Sequence, residues 1–237
     1  MAIESRYKLN LNVKLDVKEL NRIFIPLSYQ ERIAKFFDIF NKDEILMTSS
    51  FGIHSACIIH LINEVSNDQK IHFINTGYIF NETMAYKNEL TKIYNLNVID
   101  IKPNKIQHDL TQDESWWIEH SKMCCTINKV APLEEVISKN KVWISGLMQF
   151  QTQWRFNLDI FGYKGDILKF HPLIDMSQKL YEKIRLENKL LDHPLKAAGY
   201  GSIGCTHCTE KGEGRTGRWR NTSKTECGLH QNYFYKQ

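Results

Sequence analysis

Glu44-Ile45-Leu46-Met47-Thr48-Ser49-Ser50-Phe51-Gly52-Ile53-His54-Ser55, running into Ala56-Cys57-Ile58-Ile59-His60-Leu61-Ile62-Asn63-Glu64-Val65, is the stretch on which the fold turns. Glu44 to Thr48 is a short apolar run of strand length. Ala56 to Val65 is long and apolar enough for a buried helix. Between them sits a turn of mostly small residues. Strand, small-residue turn and helix in that order make a phosphate-binding arrangement. The first N–H groups of a helix point at a ligand, the helix dipole favours negative charge, and small residues let the backbone approach closely. The same pattern also describes an ordinary strand-to-helix turn. Ser49, Ser50, Phe51 and Gly52 are therefore candidate anion contacts that need support from elsewhere. Cys57, among Ala56, Ile58 and Ile59, reads as a buried small hydrophobe. His54 receives no role.

The pattern repeats outward from this stretch. Ile71 to Asn75 is a strand ending at Thr76-Gly77, and a helix follows over about 81–94. Leu96 to Ile101 is the next strand. Val142 to Ser145 ends at Gly146, and Ile167 to Phe170 is a further strand. Alternating apolar strands and helices predict an α/β fold with a mainly parallel twisted sheet and helices on both faces. Ligands of such sheets bind outside the carboxyl ends of the strands. Thr76, Gly77 and Gly146 join Ser49–Gly52 as candidates on that ground. Upstream, Ile33, Phe36, Phe37 and Phe40 mark a helix with Ser28 or its neighbour as cap. Residues 1–19 alternate well enough for an edge strand, or form an arm. Residues 102–123 are polar and aromatic, with Trp116 and Trp117 read as packing anchors. A helix is expected from Thr126 through Ile137 with Pro132 in its first turn. Another runs from Ser177 to Leu191, capped by Ser177. The tail from His193 is irregular and rich in cysteine, glycine and arginine.

At 237 residues, with a net charge of +4, the chain suits one large domain and an anionic ligand without demanding nucleic acid. Residues 20–203 read as one α/β unit and 204–237 as an irregular C-terminal segment. No apolar run reaches the ~20 residues of a membrane span, and the N-terminus lacks a signal-peptide core, so a cytoplasmic protein without membrane contact is expected. Six cysteines in that setting suggest metal or redox chemistry before disulfides.

Five of those cysteines fall into two pairs and a single. Cys205-Thr206-His207-Cys208 is a CxxC, and Cys124-Cys125 is an adjacent pair about eighty residues upstream. A CxxC alone could be a zinc half-site, a redox dithiol or chance. Adjacent cysteines point apart along an extended chain, so they suit a centre with more than one metal atom, such as an iron–sulfur cubane, better than one tetrahedral zinc. Lys129, one turn beyond Cys125, faces the same side; its ordinary reading is a solvated lysine. Cys227 lies in Lys224-Thr225-Glu226-Cys227-Gly228-Leu229-His230, where nearby cations would lower a thiol's pKa and make it a nucleophile. Glu226 opposes that field and is expected to do no more than face solvent. Arg215, Arg218 and Arg220, interleaved with glycines, read as recognition of phosphate or sulfate.

These residues together closely resemble the assimilatory sulfonucleotide reductases, in the iron–sulfur branch that reduces adenosine 5′-phosphosulfate (APS). The matching segments are Ser49–Gly52, Asn75–Tyr78 with Phe80 and Glu82-Thr83, Cys124-Cys125 with Lys129, Gly199–Cys208, Gly214-Arg215, Arg218-Trp219 and Lys224–His230. The resemblance implies an adenine nucleotide alpha hydrolase-like fold, with a nucleotide-binding domain over 20–203. It implies a 4Fe–4S cluster held by Cys124, Cys125, Cys205 and Cys208, electrostatic and structural in role. By the same resemblance, Cys227 attacks the sulfur of APS and forms an S-sulfocysteine. Reduced thioredoxin or a glutaredoxin-like donor then releases sulfite. Ser49, Ser50, Phe51, Gly52, Thr76, Gly77, Lys129, Gly146, Arg155, Arg215, Arg218 and His230 are the implied substrate contacts.

One departure is expected to matter. Where the family carries paired arginines in the loop after Gly146, this chain has Met148 and Gln149; Gln151 and Arg155 are kept. The 3′-phosphorylated nucleotide (PAPS) is therefore the alternative substrate. A zinc-stabilised RNA-binding or RNA-modifying protein on the same sheet is the rival reading. A homo-oligomeric state is left open.

Overall fold

The computed structural model describes residues 15–220, 224 and 226–229. Six strands form one sheet: β1 (Ile45–Thr48), β2 (Ile71–Ile74), β3 (Val98–Ile101), β4 (Val142–Ile144), β5 (Phe161–Lys164) and β6 (Ile167–Phe170). Their order is β3-β2-β1-β4-β6-β5. All neighbours are parallel except β5 and β6, an antiparallel hairpin turned at Gly165. The expected mainly parallel sheet is thus present. The chain leaves β1 toward β2 and β3, then returns to lay β4 on the other side of β1. Strand order reverses there, which opens a crevice between the loops after β1 and β4.

The two faces of the sheet follow the period of two. Ile45, Met47, Val142, Ile144, Leu168 and Phe170 enter one large core, while Leu46, Trp143 and Ile167 enter a smaller core on the other face. The large core is aromatic where helices α1 (Val17–Phe24) and α2 (Tyr29–Ile39) meet the β5–β6 hairpin. Phe36 stacks on Phe170 at 4.2 Å between ring centroids, and Phe24 meets Phe161 edge-on at 4.8 Å. Ser28 caps α2 in a reciprocal box with Glu31, as expected from its position. Helix α1 begins at Val17, inside the stretch expected to be a strand or arm, because the Asp16 carboxylate accepts from the N–H groups of Lys18 and Glu19.

Helix α3 (Ser55–Val65) is apolar nearly all round and lies in the large core. Helix α4 (Asn81–Tyr94) follows β2. Residues 102–123 are not merely connecting chain. They form α5 (Lys105–Asp113), α6 (Trp116–Glu119) and the start of α7 (Ser121–Cys125). Ile106 and Leu110 are the only apolar residues of α5, and both are exposed, so the sequence carries little amphipathic signal for that helix. The expected helix over Thr126–Ile137 is α-helical only from Ala131 onward, as α8 (Ala131–Ile137). Thr126–Val130 is a π-turn, and the Ala131 N–H reaches back to the Thr126 carbonyl. Pro132 explains the change: it has no N–H to give to the carbonyl four residues earlier, at Asn128. Short helices α9 (Gln153–Phe156) and α11 (Pro194–Ala197) flank α10 (Gln178–Glu187), which Ser177 caps. Strand β5 was not expected; its edge sequence Phe-Gly-Tyr-Lys lacks an apolar run. No helix among the described residues is long and apolar enough to cross a membrane.

Candidate active site

The loop after β1 is shaped from within. The Phe51 N–H donates to Ser49 Oγ at 3.1 Å, and Phe51 adopts a left-handed φ of 46° while buried edge-on against Phe73. A non-glycine residue in that region stores backbone strain, which here turns the chain sharply into α3. Ser50 is exposed at the mouth of the crevice. Gly52 approaches the Ile203 carbonyl. His54 opens α3 without a side-chain cap and packs on Tyr181 at 4.8 Å; burial pushes its imidazole down to about 4. Across the crevice, Gly146 has a packing reason of its own. A methyl there would sit 2.8 Å from Ile58 Cγ2 of α3.

The loop after β2 leads elsewhere. Thr76 is buried, and its Oγ1 lies 3.3 Å from Cys205 Sγ. The Thr206 N–H donates to the Tyr78 carbonyl at 2.8 Å, and Ile79 bridges to Cys205. Segment 203–205 therefore crosses the carboxyl ends of both β1 and β2. Gly77 takes a φ of 77° and lies under the His108 ring.

The four paired cysteines share one recess of about 300 Å³, counting its open mouth. Its walls are Tyr78, Trp117, Ser121, Cys124, Cys125, Asn128, Lys129, Cys205, His207 and Cys208. The fold thus gathers residues that the sequence separates by eighty positions. Among the described residues no three His, Cys, Asp or Glu side chains converge as they would around a single ion. Burial, and the neighbouring sulfurs, push the Cys124 and Cys208 thiols up. Asn128 Nδ2 donates to the Cys124 carbonyl at 3.0 Å and reaches Cys124 Sγ at 3.6 Å, while its Oδ1 accepts from the His108 ring at 2.7 Å. Trp117 stacks on His207 at 3.8 Å, with Tyr78 edge-on to both. Of the two tryptophans expected as packing anchors, Trp117 lines this recess and Trp116 packs against the cluster of Tyr78, Cys124 and Cys205.

Cys227 lies half-buried beside it. The Cys125 thiol donates to it, Lys129 and Arg218 add positive charge, and the Leu229 N–H donates as well. Together these hold its thiol well below the usual range against the opposing effect of burial. Burial alone would depress the Lys129 ammonium, but the sulfurs of Cys205, Cys227 and Cys125 outweigh it and raise it well above its ordinary value. Lys129 is buried in the recess and is not the solvated surface lysine that its position also allowed. Lys224 Nζ donates to Cys125 Sγ at 3.0 Å.

Arg218 is buried over the Trp219 ring at 4.3 Å, and its Nε donates to the Cys208 carbonyl at 3.2 Å. Gly204 makes room for it, since any side chain there would overlap the guanidinium. Arg155 and Arg215 face Glu226. That carboxylate is fully buried and does not face solvent as the sequence suggested. Despite burial its pKa is lowered, because Arg155, Arg215 and Thr152 hold the charged form. Sequence reading missed this. The one available signal was a carboxylate adjoining a prospective thiolate, an arrangement that needs a cationic partner. Met148 is fully buried in the large core, and Gln149 spends its amide on the Phe156 and Leu158 carbonyls, so neither replaces an arginine in the crevice. His230 lies outside the described residues.

Residues 44–211 match the phosphoadenosine phosphosulfate reductase domain. The chain belongs to that family. The match ends before Arg215, Arg218 and Cys227, so the C-terminal part of the site lies beyond it. Over 198 residues the chain is 34% identical to an adenosine 5′-phosphosulfate reductase of Bacillus thuringiensis strain Al Hakam, covering 80% of this chain and 85% of that protein. A Bacillus cereus strain Q1 protein of the same name is 35% identical over 203 residues, with the same coverage. The crystal structure of phosphoadenylyl-sulfate reductase from Candida auris, in a phosphate complex, superposes with a TM-score of 0.72. It is 20% identical and covers 84% of this chain and 99% of its own. At that identity the likeness bears on fold alone, and it bears out the expected adenine nucleotide alpha hydrolase-like sheet.

Proposed function

We propose that this protein reduces adenosine 5′-phosphosulfate to sulfite and AMP, with Cys227 as nucleophile. The observation that carries this reading is the setting of Cys227. It is a half-buried thiol flanked by the cationic Lys129 and Arg218, beside a recess ringed by four more cysteines. The Bacillus relatives named adenosine 5′-phosphosulfate reductases support the same nucleotide.

The thiolate of Cys227 attacks the sulfur of the phosphosulfate. An S–S bond forms, the S–O bond to the phosphate breaks, and AMP leaves with the bonding pair. The enzyme then carries S-sulfocysteine. A dithiol protein such as thioredoxin or a glutaredoxin-like donor attacks Cys227 Sγ, sulfite departs with the electron pair, and the donor ends as a disulfide. Lys129 and Arg218 act on the anionic sulfonate end. Ser49, Ser50, Phe51 and Gly52, with the start of α3, receive the nucleotide across the crevice from Gly146. Thr76 and Gly77 act at one remove, by seating Cys205 and His108. In this reading residues 20–203 form the nucleotide-binding domain, and 204–237 carry the catalytic cysteine over it. The reaction belongs to the cytoplasm, where such donors stay reduced.

The donor set fits a 4Fe–4S cluster held by Cys124, Cys125, Cys205 and Cys208: four thiols line one recess, and each iron of such a cluster takes one thiolate. Bound there, such a cluster would supply thiolate–iron bonds that tie the end of α7 to the 205–208 segment, and a fixed local charge.

The test is anaerobic incubation with APS alone, followed by peptide mass spectrometry. A sulfonate adduct on Cys227, absent in Cys227→Ser, is expected. An adduct with PAPS but not with APS would reassign the substrate. No adduct with either nucleotide would refute the reading. Iron content lost in Cys205→Ser and kept in Cys227→Ser checks the division among the thiols.

A further inference from the structure

Glu226, immediately before Cys227, makes four side-chain hydrogen bonds. Its side chain is fully buried. Oε1 accepts from Thr152 Oγ1 and Arg155 Nε, both at 2.8 Å; Oε2 accepts from Arg155 Nη2 at 2.9 Å and Arg215 Nη2 at 3.2 Å. Thr152 and Arg155 belong to the start of α9, beyond β4. Arg215 belongs to the arginine loop. One carboxylate therefore ties the segment both to the sheet domain and to that loop. Neighbouring tethers include Lys224 Nζ to Cys125 Sγ at 3.0 Å and Lys164 Nζ to the Leu229 carbonyl at 2.5 Å.

Chemistry gives this arrangement a direction. A carboxylate next to a thiolate disfavours that thiolate, so it is tolerated here because two guanidiniums neutralise it. Arg155 in turn gives Nε and Nη2 to Glu226 and Nη1 to Gln151, so its donors face its own chain. Consecutive Cα atoms lie only about 3.8 Å apart, so fixing residue 226 leaves residue 227 little freedom. We propose that Glu226 is the positioning residue for Cys227: its carboxylate clamps the C-terminal segment onto Arg155 and Arg215 and so holds the thiol over the cysteine recess, and release of the clamp presents Cys227 to solvent. The catalytic consequence rests on the reductase reading above; the clamp itself does not.

The experiment is anaerobic iodoacetamide labelling of the full-length protein without nucleotide, read by peptide mass spectrometry at Cys227. It is run at a pH high enough that the rate has reached its plateau, so that access and not ionisation is measured. Glu226→Gln keeps the shape but strands the buried Arg155 guanidinium and the partly exposed Arg215, and is expected to raise the Cys227 rate at least about tenfold. Glu226→Asp keeps the charge and should fall between the two. Cys57, fully buried, reports on the fold and should stay unlabelled. Should Glu226→Gln expose Cys57, Thr152→Val replaces it: that change removes one donor to Oε1 and should raise the rate a few-fold. Unchanged Cys227 labelling in a folded variant overturns the clamp.

Single-turnover adduct formation with saturating APS then reads positioning. The rate should fall in Glu226→Gln and recover substantially in Glu226→Asp. Equal rates would overturn the positioning role. Faster labelling with no adduct in any variant, wild type included, would sink the reductase reading while supporting the clamp.

Discussion

Replacing Gly77 with alanine tests whether the end of β2 and the cysteine recess are mechanically one unit. Gly77 has a φ of 77°, where an L-residue costs about 1–2 kcal/mol. Gly199, at a φ of 91°, has nothing within 4 Å of where an alanine methyl would sit, so Gly199→Ala should cost only that backbone amount. At Gly77 the methyl would lie 2.5 Å from His108 Nε2 and closer still to Cε1. The His108 ring is not free to swing away. Its Nδ1 is bonded to Asn128 Oδ1 at 2.7 Å, and it packs on Tyr78 at 4.9 Å. Asn128 is buried, so moving the ring strands its oxygen, at about 1–3 kcal/mol. Gly77→Ala should therefore destabilise by about 2–5 kcal/mol in total. The assay is anaerobic urea unfolding, comparing midpoints at constant slope. In the double variant with His108→Ala, the steric part should largely vanish as a coupling energy. Because Asn128 also donates to the Cys124 carbonyl, iron retention should fall in Gly77→Ala as well. If Gly77→Ala and Gly199→Ala cost the same within about 0.5 kcal/mol, His108 yields freely and the mechanical link is wrong.

Two further outcomes follow from the charges. Lys129 and Arg218 place positive charge beside the Cys227 thiol, and the Leu229 N–H donates to it. Lys129→Met removes one cation, so the pH profile of Cys227 alkylation should move to higher pH with its plateau rate unchanged; an unmoved profile would show that Lys129 does not act on the thiolate. His193 is a neutral capping imidazole: Nδ1 accepts the Leu195 N–H at 3.2 Å, which leaves Nε2–H for Thr83 Oγ1 at 3.0 Å. Burial pushes it down to about 4. Below about 6.5 the unfolded chain takes up a proton that the folded chain refuses, so stability falls as pH drops from about 6.5 to 4, by up to roughly 3 kcal/mol. Unfolding midpoints of His193→Asn should lose less over that interval than wild type, and parallel curves would contradict the assignment.

The legible parts of the fold were those with a local cause. Ile45–Thr48 and Ile71–Ile74 are apolar because buried parallel strands need it, and Ser28 and Ser177 announce their helices by capping. Helix α5 went unread because Ile106 and Leu110 are its only apolar residues, and the π-turn at Thr126–Val130 because Pro132 acts four residues upstream of itself. In the site, the sequence pointed to the cysteines and arginines as chemistry, but it gave no sign that Thr76 packs against Cys205.

Residue order alone determined the alternation of strand and helix, hence a parallel sheet with its crevice at the strand ends. Burial on both faces and backbone hydrogen bonding act over a few residues and leave a local trace. Only the tertiary structure decided that Cys124, Cys125, Cys205 and Cys208 share one recess, and that Glu226 answers Arg155 across 71 positions. Coulomb attraction and thiol proximity depend on distance in space, and chain separation carries no record of it.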